Sequence, residues 1–97
     1  MSKRFIILKS QSGVIYDVRL DRVEIGVVCV VDVLGRDVKE TEILLTDANG
    51  ENAYARISTN PYSLVLSEEF DIDSVVMVDI FSGGTLVASG KINEKED

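Results

Sequence analysis

The sequence predicts an all-β domain: an antiparallel β-sandwich of seven to eight strands, with a small β-barrel as the alternative. Three observations carry this. The chain holds 14 Val and 9 Ile in 97 residues, and β-branched side chains crowd a helical turn but fit a pleated strand. Apolar residues recur with a period of two along several segments, the signature of half-buried strands. Turn signals fall roughly every 8–12 residues, the spacing of sandwiches and barrels. No segment of ten or more residues places apolar side chains at i, i+3, i+4 and i+7, so helix has little support.

The first strand runs from Phe5 to Leu8 and ends in the turn Ser10-Gln11-Ser12-Gly13. In the second, Val14, Tyr16, Val18 and Leu20 alternate with Ile15, Asp17, Arg19 and Asp21. The longest periodic segment spans Val23 to Val33, with Val23, Ile25, Val27, Cys29, Val31 and Val33 as an unbroken apolar face. Leu34-Gly35-Arg36-Asp37 breaks it. Ile43-Leu44-Leu45 then leads into Asp47-Ala48-Asn49-Gly50-Glu51-Asn52, where Asn-Gly signals a hairpin turn of positive φ, and Ala53 to Ile57 returns antiparallel. Asn60-Pro61 turns the chain into Tyr62–Leu66, with proline at a strand start, where its missing N–H is tolerated. Glu68 to Ser74 is an acidic connection carrying Phe70 and Ile72, suited to crossing between sheets. The closing hairpin runs Val75 to Phe81, turns over Ser82-Gly83-Gly84-Thr85 and returns from Leu86 to Ile92. Val76, Val78 and Ile80 on one strand, and Leu86, Ala88 and Ile92 on the other, are its expected core face. The sandwich is preferred because the last four strands read as simple hairpins, while the 23–33 strand can serve a two-sheet core.

Residues 1–92 form one domain, and 93–97 a short charged tail. Net charge is −7, unevenly placed. Residues 1–40 carry seven Lys or Arg against six acids, while residues 41–97 carry three against eleven. A pI near 4.5 argues against nucleic acid, whose phosphates are bound by Lys and Arg, and against anionic membrane surfaces. The opening Met1 to Lys9 imitates a signal peptide, but its apolar core of Phe5 to Leu8 falls short of the about 7–15 residues needed. Nor does any run approach the roughly 20 apolar residues of a membrane span. The expected location is the cytoplasm or a virion.

From residue 31 onward, Val31-Asp32-Val33-Leu34-Gly35-Arg36-Asp37-Val38 is followed by Thr41-Glu42-Ile43-Leu44-Leu45-Thr46-Asp47-Ala48-Asn49-Gly50, then by Tyr62-Ser63-Leu64-Val65-Leu66 and the terminal hairpin. This order resembles the bacterial immunoglobulin-like and carboxypeptidase-regulatory-like sandwich domains. Their theme is two strands ending in Asp-x-x-Gly, then a Tyr-x-Leu strand. Asn60-Pro61 stands where those domains usually carry glycine, and residues 1–22 add strands that the smaller members lack. The resemblance implies an immunoglobulin-like sandwich and a non-catalytic module for display, adhesion, spacing or assembly, including phage capsid and tail decoration.

The chemistry of the side chains agrees with a non-enzyme. There is no His, the commonest general base and transition-metal ligand. The single Cys29 lies in an apolar strand without a basic neighbour to lower its pKa, and no Gly-x-Ser-x-Gly, Walker or dinucleotide motif occurs. Calcium is the one ion with candidate ligands: Asp47, Asn49 and Glu51 alternate in a glycine-containing loop, and Asp71 and Asp73 add hard oxygens. Turn chemistry explains the first cluster without an ion, so no cofactor and no small-molecule substrate is expected. Outward apolar residues offer another route to function. Val28 and Val30 on the long strand, and Val75, Met77 and Phe81 on the closing hairpin, point away from the expected core. Either the N-terminal strands cover them or they form an interface with a protein partner or a second copy. The expected function is thus a structural, assembly or protein-interaction module, with a phage capsid or tail component as the favoured setting. The alternative is a small acidic regulator that occludes a basic surface of its partner.

Overall fold

The computed structural model describes residues 3–24, 26–35, 40–67, 69–73 and 76–92. Ile25, Arg36, Asp37, Glu68, Ser74, Val75 and the 93–97 tail, all given roles above, lie outside the described residues. Eight strands are present: β1 (Lys3–Lys9), β2 (Ile15–Val23), β3 (Gly26–Leu34), β4 (Thr41–Thr46), β5 (Asn52–Ile57), β6 (Tyr62–Leu66), β7 (Val76–Ser82) and β8 (Thr85–Ile92). They form two antiparallel four-stranded sheets, β1-β2-β3-β6 and β5-β4-β7-β8. The sheets do not close into a barrel. With β2, β3 and β6 opposed to β4, β7 and β8, the strand order is the A-B-E against C-F-G arrangement of an immunoglobulin-like sandwich. Here β5 flanks the C position and β1 the A position.

Alternation builds the core. Tyr16, Val18 and Leu20 from β2, and Val27, Cys29, Val31 and Val33 from β3, meet Ile43 and Leu45 from β4 and Val76, Val78 and Ile80 from β7. Each buried aliphatic side chain contributes about 1.5–3 kcal/mol of transfer free energy. Phe70 and Ile72 are buried as well, so the acidic connection plugs one end of the sandwich as it crosses between sheets.

Three turns differ from the sequence expectation, each for a local reason. The expected 23–33 strand is the end of one strand and the start of the next: β2 pairs with β3 from Ile15↔Leu34 to Val23↔Gly26. Inward residues are even-numbered on β2 and odd-numbered on β3. Val23 is therefore an outward residue of β2, 40% exposed, whose parity imitates the β3 core face. The Asp47–Asn52 turn is a wide loop in which Gly50 takes positive φ but Asn49 does not. In the closing hairpin Gly83 and Gly84 alone make the turn, both at positive φ. Its register shifts between Ile80, opposite Ala88, and Phe81, opposite Leu86. Val87 is the extra residue, and the bulge turns Leu86 outward instead of into the core.

At one margin of the sandwich β1 lies against β8. Gly90 permits this approach: a Cβ there would stand 2.7 Å from Leu8 Cδ2 and 2.9 Å from Ile6 Cδ1. At the other margin, near β5 and β6, Ala53, Ala55, Tyr62 and Leu64 are only partly buried.

Candidate interaction surfaces

The register fixes what each outer face presents. On the β1-β2-β3-β6 sheet, one row reads Phe5, Arg19, Val30, Ser63; the rows beside it read Ile7, Asp17, Asp32 and Asp21, Val28, Val65. Val65 (62% exposed) stands beside the half-buried Val28, while Phe5 (64%) and Ile7 (60%) lie across the charged β2 row from Val28 and Val30. β1 and β2 extend this sheet edgewise and form no layer over it. Of the two alternatives for Val28 and Val30, cover by the N-terminal strands is therefore excluded: among the described residues those valines are screened by neighbours in their own sheet. Met77 and Phe81 lie on the opposite outer face, beside Leu44, Tyr54 and Leu86. The outward residues singled out from sequence thus belong to two surfaces, and Val75 lies outside the described residues. Phe5, Ile7 and Val65 were missed, although the unalternating run Phe5 to Leu8 signals a strand apolar on both sides.

The second outer face is tied by polar contacts. Tyr54 Oη donates to Glu42 Oε2 at 2.7 Å, Arg56 Nη2 lies 3.5 Å from the same oxygen, and Ser89 Oγ donates to Asp79 Oδ1 at 2.7 Å. The hydrogen bond to Glu42 raises the Tyr54 pKa, because the phenol proton is held by the carboxylate.

Among the calcium candidates the three aspartates are structural acceptors, and Asn49 and Glu51 donate their backbone N–H groups to Asp47. Asp47, 5% exposed, accepts the backbone N–H of Asn49 and Glu51 on Oδ1, at 2.9 and 2.8 Å, and that of Asp71 on Oδ2 at 2.8 Å. Burial pushes its pKa upward, but the N–H donors of Asp71, Glu51, Asn49 and Gly50 outweigh this and lower it. The carboxylate clasps the β4-β5 loop to the connection between β6 and β7. Asp71 Oδ1 accepts the N–H of Asp73, and Asp73 Oδ2 accepts Arg22 Nη2 at 2.8 Å. Among the described residues no group of three His, Cys, Asp or Glu converges on a common point.

Two further polar residues escaped the sequence reading. Arg4, an inward position on β1, is 4% exposed and donates through Nη2 to the Asp73 carbonyl at 2.6 Å. Asn60 stands opposite Val33 just before β6. Its Oδ1 accepts Val33 N–H at 2.8 Å and its Nδ2 donates to Val33 O at 2.7 Å. The amide side chain continues the β3-β6 ladder past Pro61, which has no N–H to offer.

Burial pushes the Cys29 thiol up to about 12, which suppresses the thiolate that a nucleophile needs. Among the described residues, open clefts lie between the Ser10–Ser12 turn and Thr85–Val87, of about 400 Å³, and over Glu40, Glu42, Arg56, Gly83 and Gly84, of about 350 Å³. Neither contains a nucleophile paired with a base. Acidic charge gathers near the Asp47 clasp, from Glu51 on its own loop and from Glu69, Asp71 and Asp73 on the connection it holds, with Arg4 and Arg22 bound at Asp73. No helix among the described residues is long and apolar enough to cross a membrane. Comparison of the chain with protein-family models, with curated proteins and with solved structures returned no match.

Proposed function

We propose that this chain is a non-enzymatic assembly or protein-interaction module that works through the outer face of its β1-β2-β3-β6 sheet. The carrying observation is two apolar groups, Phe5 with Ile7 and Val28 with Val30 and Val65, on either side of the charged outer row of β2, on a face that no layer of the described residues covers. Exposed apolar area of this kind gains free energy when another surface removes it from water. Asp17, Arg19, Asp21 and Asp32 between the apolar residues supply polar contacts that fix orientation. A capsid or tail setting fits such a module; capsid or tail genes beside its own would support that context. Light scattering coupled to size exclusion, at low and at high salt, tests the reading. An assembly that survives high salt and disperses on combining Phe5→Glu with Val65→Glu supports it. A strict monomer at both salts counts against it.

A second reading, an acidic regulator that masks a basic surface of another protein, is favoured by the gathering of Glu51, Glu69, Asp71 and Asp73 at one end. It predicts the opposite salt response, a complex with a basic partner that dissociates as salt rises.

A further inference from the structure

Among the described residues four strands, β1, β6, β5 and β8, have a free edge, and three of them carry devices that discourage pairing. β1 points the charged Arg4 inward, β8 is bulged at Val87 and carries exposed Lys91, and β6 is five residues long and entered through Pro61. β5 has no bulge, no proline and no inward charge, and its one charged residue, Arg56, lies on the outer face. Asn52–Ile57 pairs with β4 in unbroken register, contains no Pro, Gly or Lys, and turns Ala53, Ala55 and Ile57 inward.

The hydrogen-bond phase shows which groups the edge offers. Asp47 N–H donates to Glu51 O at 3.0 Å, so bonded pairs recur at Leu45↔Ala53, Ile43↔Ala55 and Thr41↔Ile57. The N–H and C=O groups of Asn52, Tyr54 and Arg56 therefore face away from the sheet.

We infer that the β5 edge pairs antiparallel with β5 of a second copy, about a two-fold axis at Ala55, to give a continuous sheet with four strands from each copy. The inference rests on the reading of the chain as an assembly module and names its partner. In this register Tyr54 lies opposite Arg56 of the second copy, twice by symmetry, as bonded pairs on the outer face. Each guanidinium then meets an aromatic ring, while shifting the axis to Arg56 would oppose like charges. On the inner face Ala55 meets its own copy, and the small side chains leave room for close approach. The strand is thus complementary to itself, as a two-fold interface requires, and the contact also covers the partly buried margin at Ala53 and Ala55.

Opposed Ala55 residues form a non-bonded pair with Cα atoms about 4.5 Å apart, within disulfide reach. The test uses the full chain carrying Ala55→Cys or Asn52→Cys under mild oxidation, with sedimentation equilibrium on the wild type and on Tyr54→Lys. Cys29 is buried and gives no background. The expected result is a wild-type dimer, cross-linked at position 55 but not at 52. Tyr54→Lys opposes like charges across the axis while keeping Glu42 beside it within its own chain. It should raise the dimer dissociation constant at least tenfold, with an unchanged far-UV spectrum. An oligomer that does not cross-link at 55 but disperses with Phe5→Glu and Val65→Glu overturns the β5 pairing and leaves the assembly reading standing. A strict monomer overturns both.

Discussion

Replacing Asp47 tests how a single carboxylate holds one end of the sandwich. Asp47→Ala removes three charge-assisted hydrogen bonds, to Asn49, Glu51 and Asp71, all between 2.8 and 2.9 Å. Hydrogen bonds to charged groups each contribute about 1.5–3 kcal/mol. Asn49 and Glu51 are exposed, so water can replace the carboxylate there. The Asp71 amide lies deeper and loses more. The expected cost is about 3 kcal/mol, a large share of the 5–15 kcal/mol typical of a domain, and a fall in Tm of roughly 12–24 °C. Asp47→Asn separates the two oxygens. An amide oxygen can still accept from Asn49 and Glu51, but its NH₂ then faces the Asp71 N–H, donor against donor, at a cost of about 2 kcal/mol. The pH dependence has a definite sign. The folded pKa lies below the ordinary value of about 3.9, so the stabilisation is complete above that value and is lost as pH falls through the folded pKa. Urea denaturation near pH 7 and near pH 3, followed by far-UV circular dichroism, should show the gap between wild type and Asp47→Asn narrowing in acid. An equal gap at both pH values, or none near pH 7, would refute the clasp.

Cys29 should resist thiol reagents in the native state and react only on unfolding. Because its folded pKa is raised from 9.0 to about 12, stability should fall by roughly 1.4 kcal/mol per pH unit above about pH 9. Cys29→Ala should remove that part of the alkaline slope, and identical slopes for the two proteins would contradict the burial argument. Gly90→Ala should destabilise by about 1–2 kcal/mol through overpacking against Leu8 and Ile6. Calorimetry on a double-mutant cycle with Leu8→Val should recover most of it, since the clash is with the tips of flexible side chains. Asn60→Ala strips both partners from Val33 and should cost about 1–2 kcal/mol in equilibrium unfolding. It should also speed amide hydrogen exchange at Val33, and unchanged exchange there would show that the ladder does not depend on the side chain.

Most of the sandwich was legible because its signal is periodic. Tyr16, Val18 and Leu20, Val27 to Val33, and Val76, Val78 and Ile80 all sit on the faces that alternation assigns. Errors arose where a reversal preserves an apparent period. Val23 continues the odd-numbered pattern of β3 across a tight hairpin, and the bulge at Val87 exchanges the faces of Leu86 and Val87. The polar devices were less legible for a different reason. Arg4, Asp47 and Asn60 gain their roles from partners 69, 24 and 27 residues away, and local chemistry marks Asp47 and Asn60 only as turn residues and Arg4 only as a surface cation. Their positions follow from the crossovers, which pattern alone does not order.

The surplus of valine acquires a physical meaning from the two-layer architecture. A sandwich strand needs apolar side chains on one face alone, and β4 and β7 set charged residues, Glu42 and Asp79, among their outward positions. Leu44, Met77 and Phe81 lie beside them, and on the other sheet Phe5 and Ile7 of β1, with Val28 and Val30 of β3 beside Asp32, likewise add apolar outward residues to an apolar inner face. Chain packing does not demand this, because β1 and β2 lie in the same sheet and leave the outer face open. Charged residues at those positions would serve folding equally well and solubility better. On the proposed reading, the apolar outer face has its physical use outside the single chain. It lies on the sheet opposite the one that holds the β5 edge, so under the proposed pairing one copy would present these residues to a partner while its other sheet continues into a second copy.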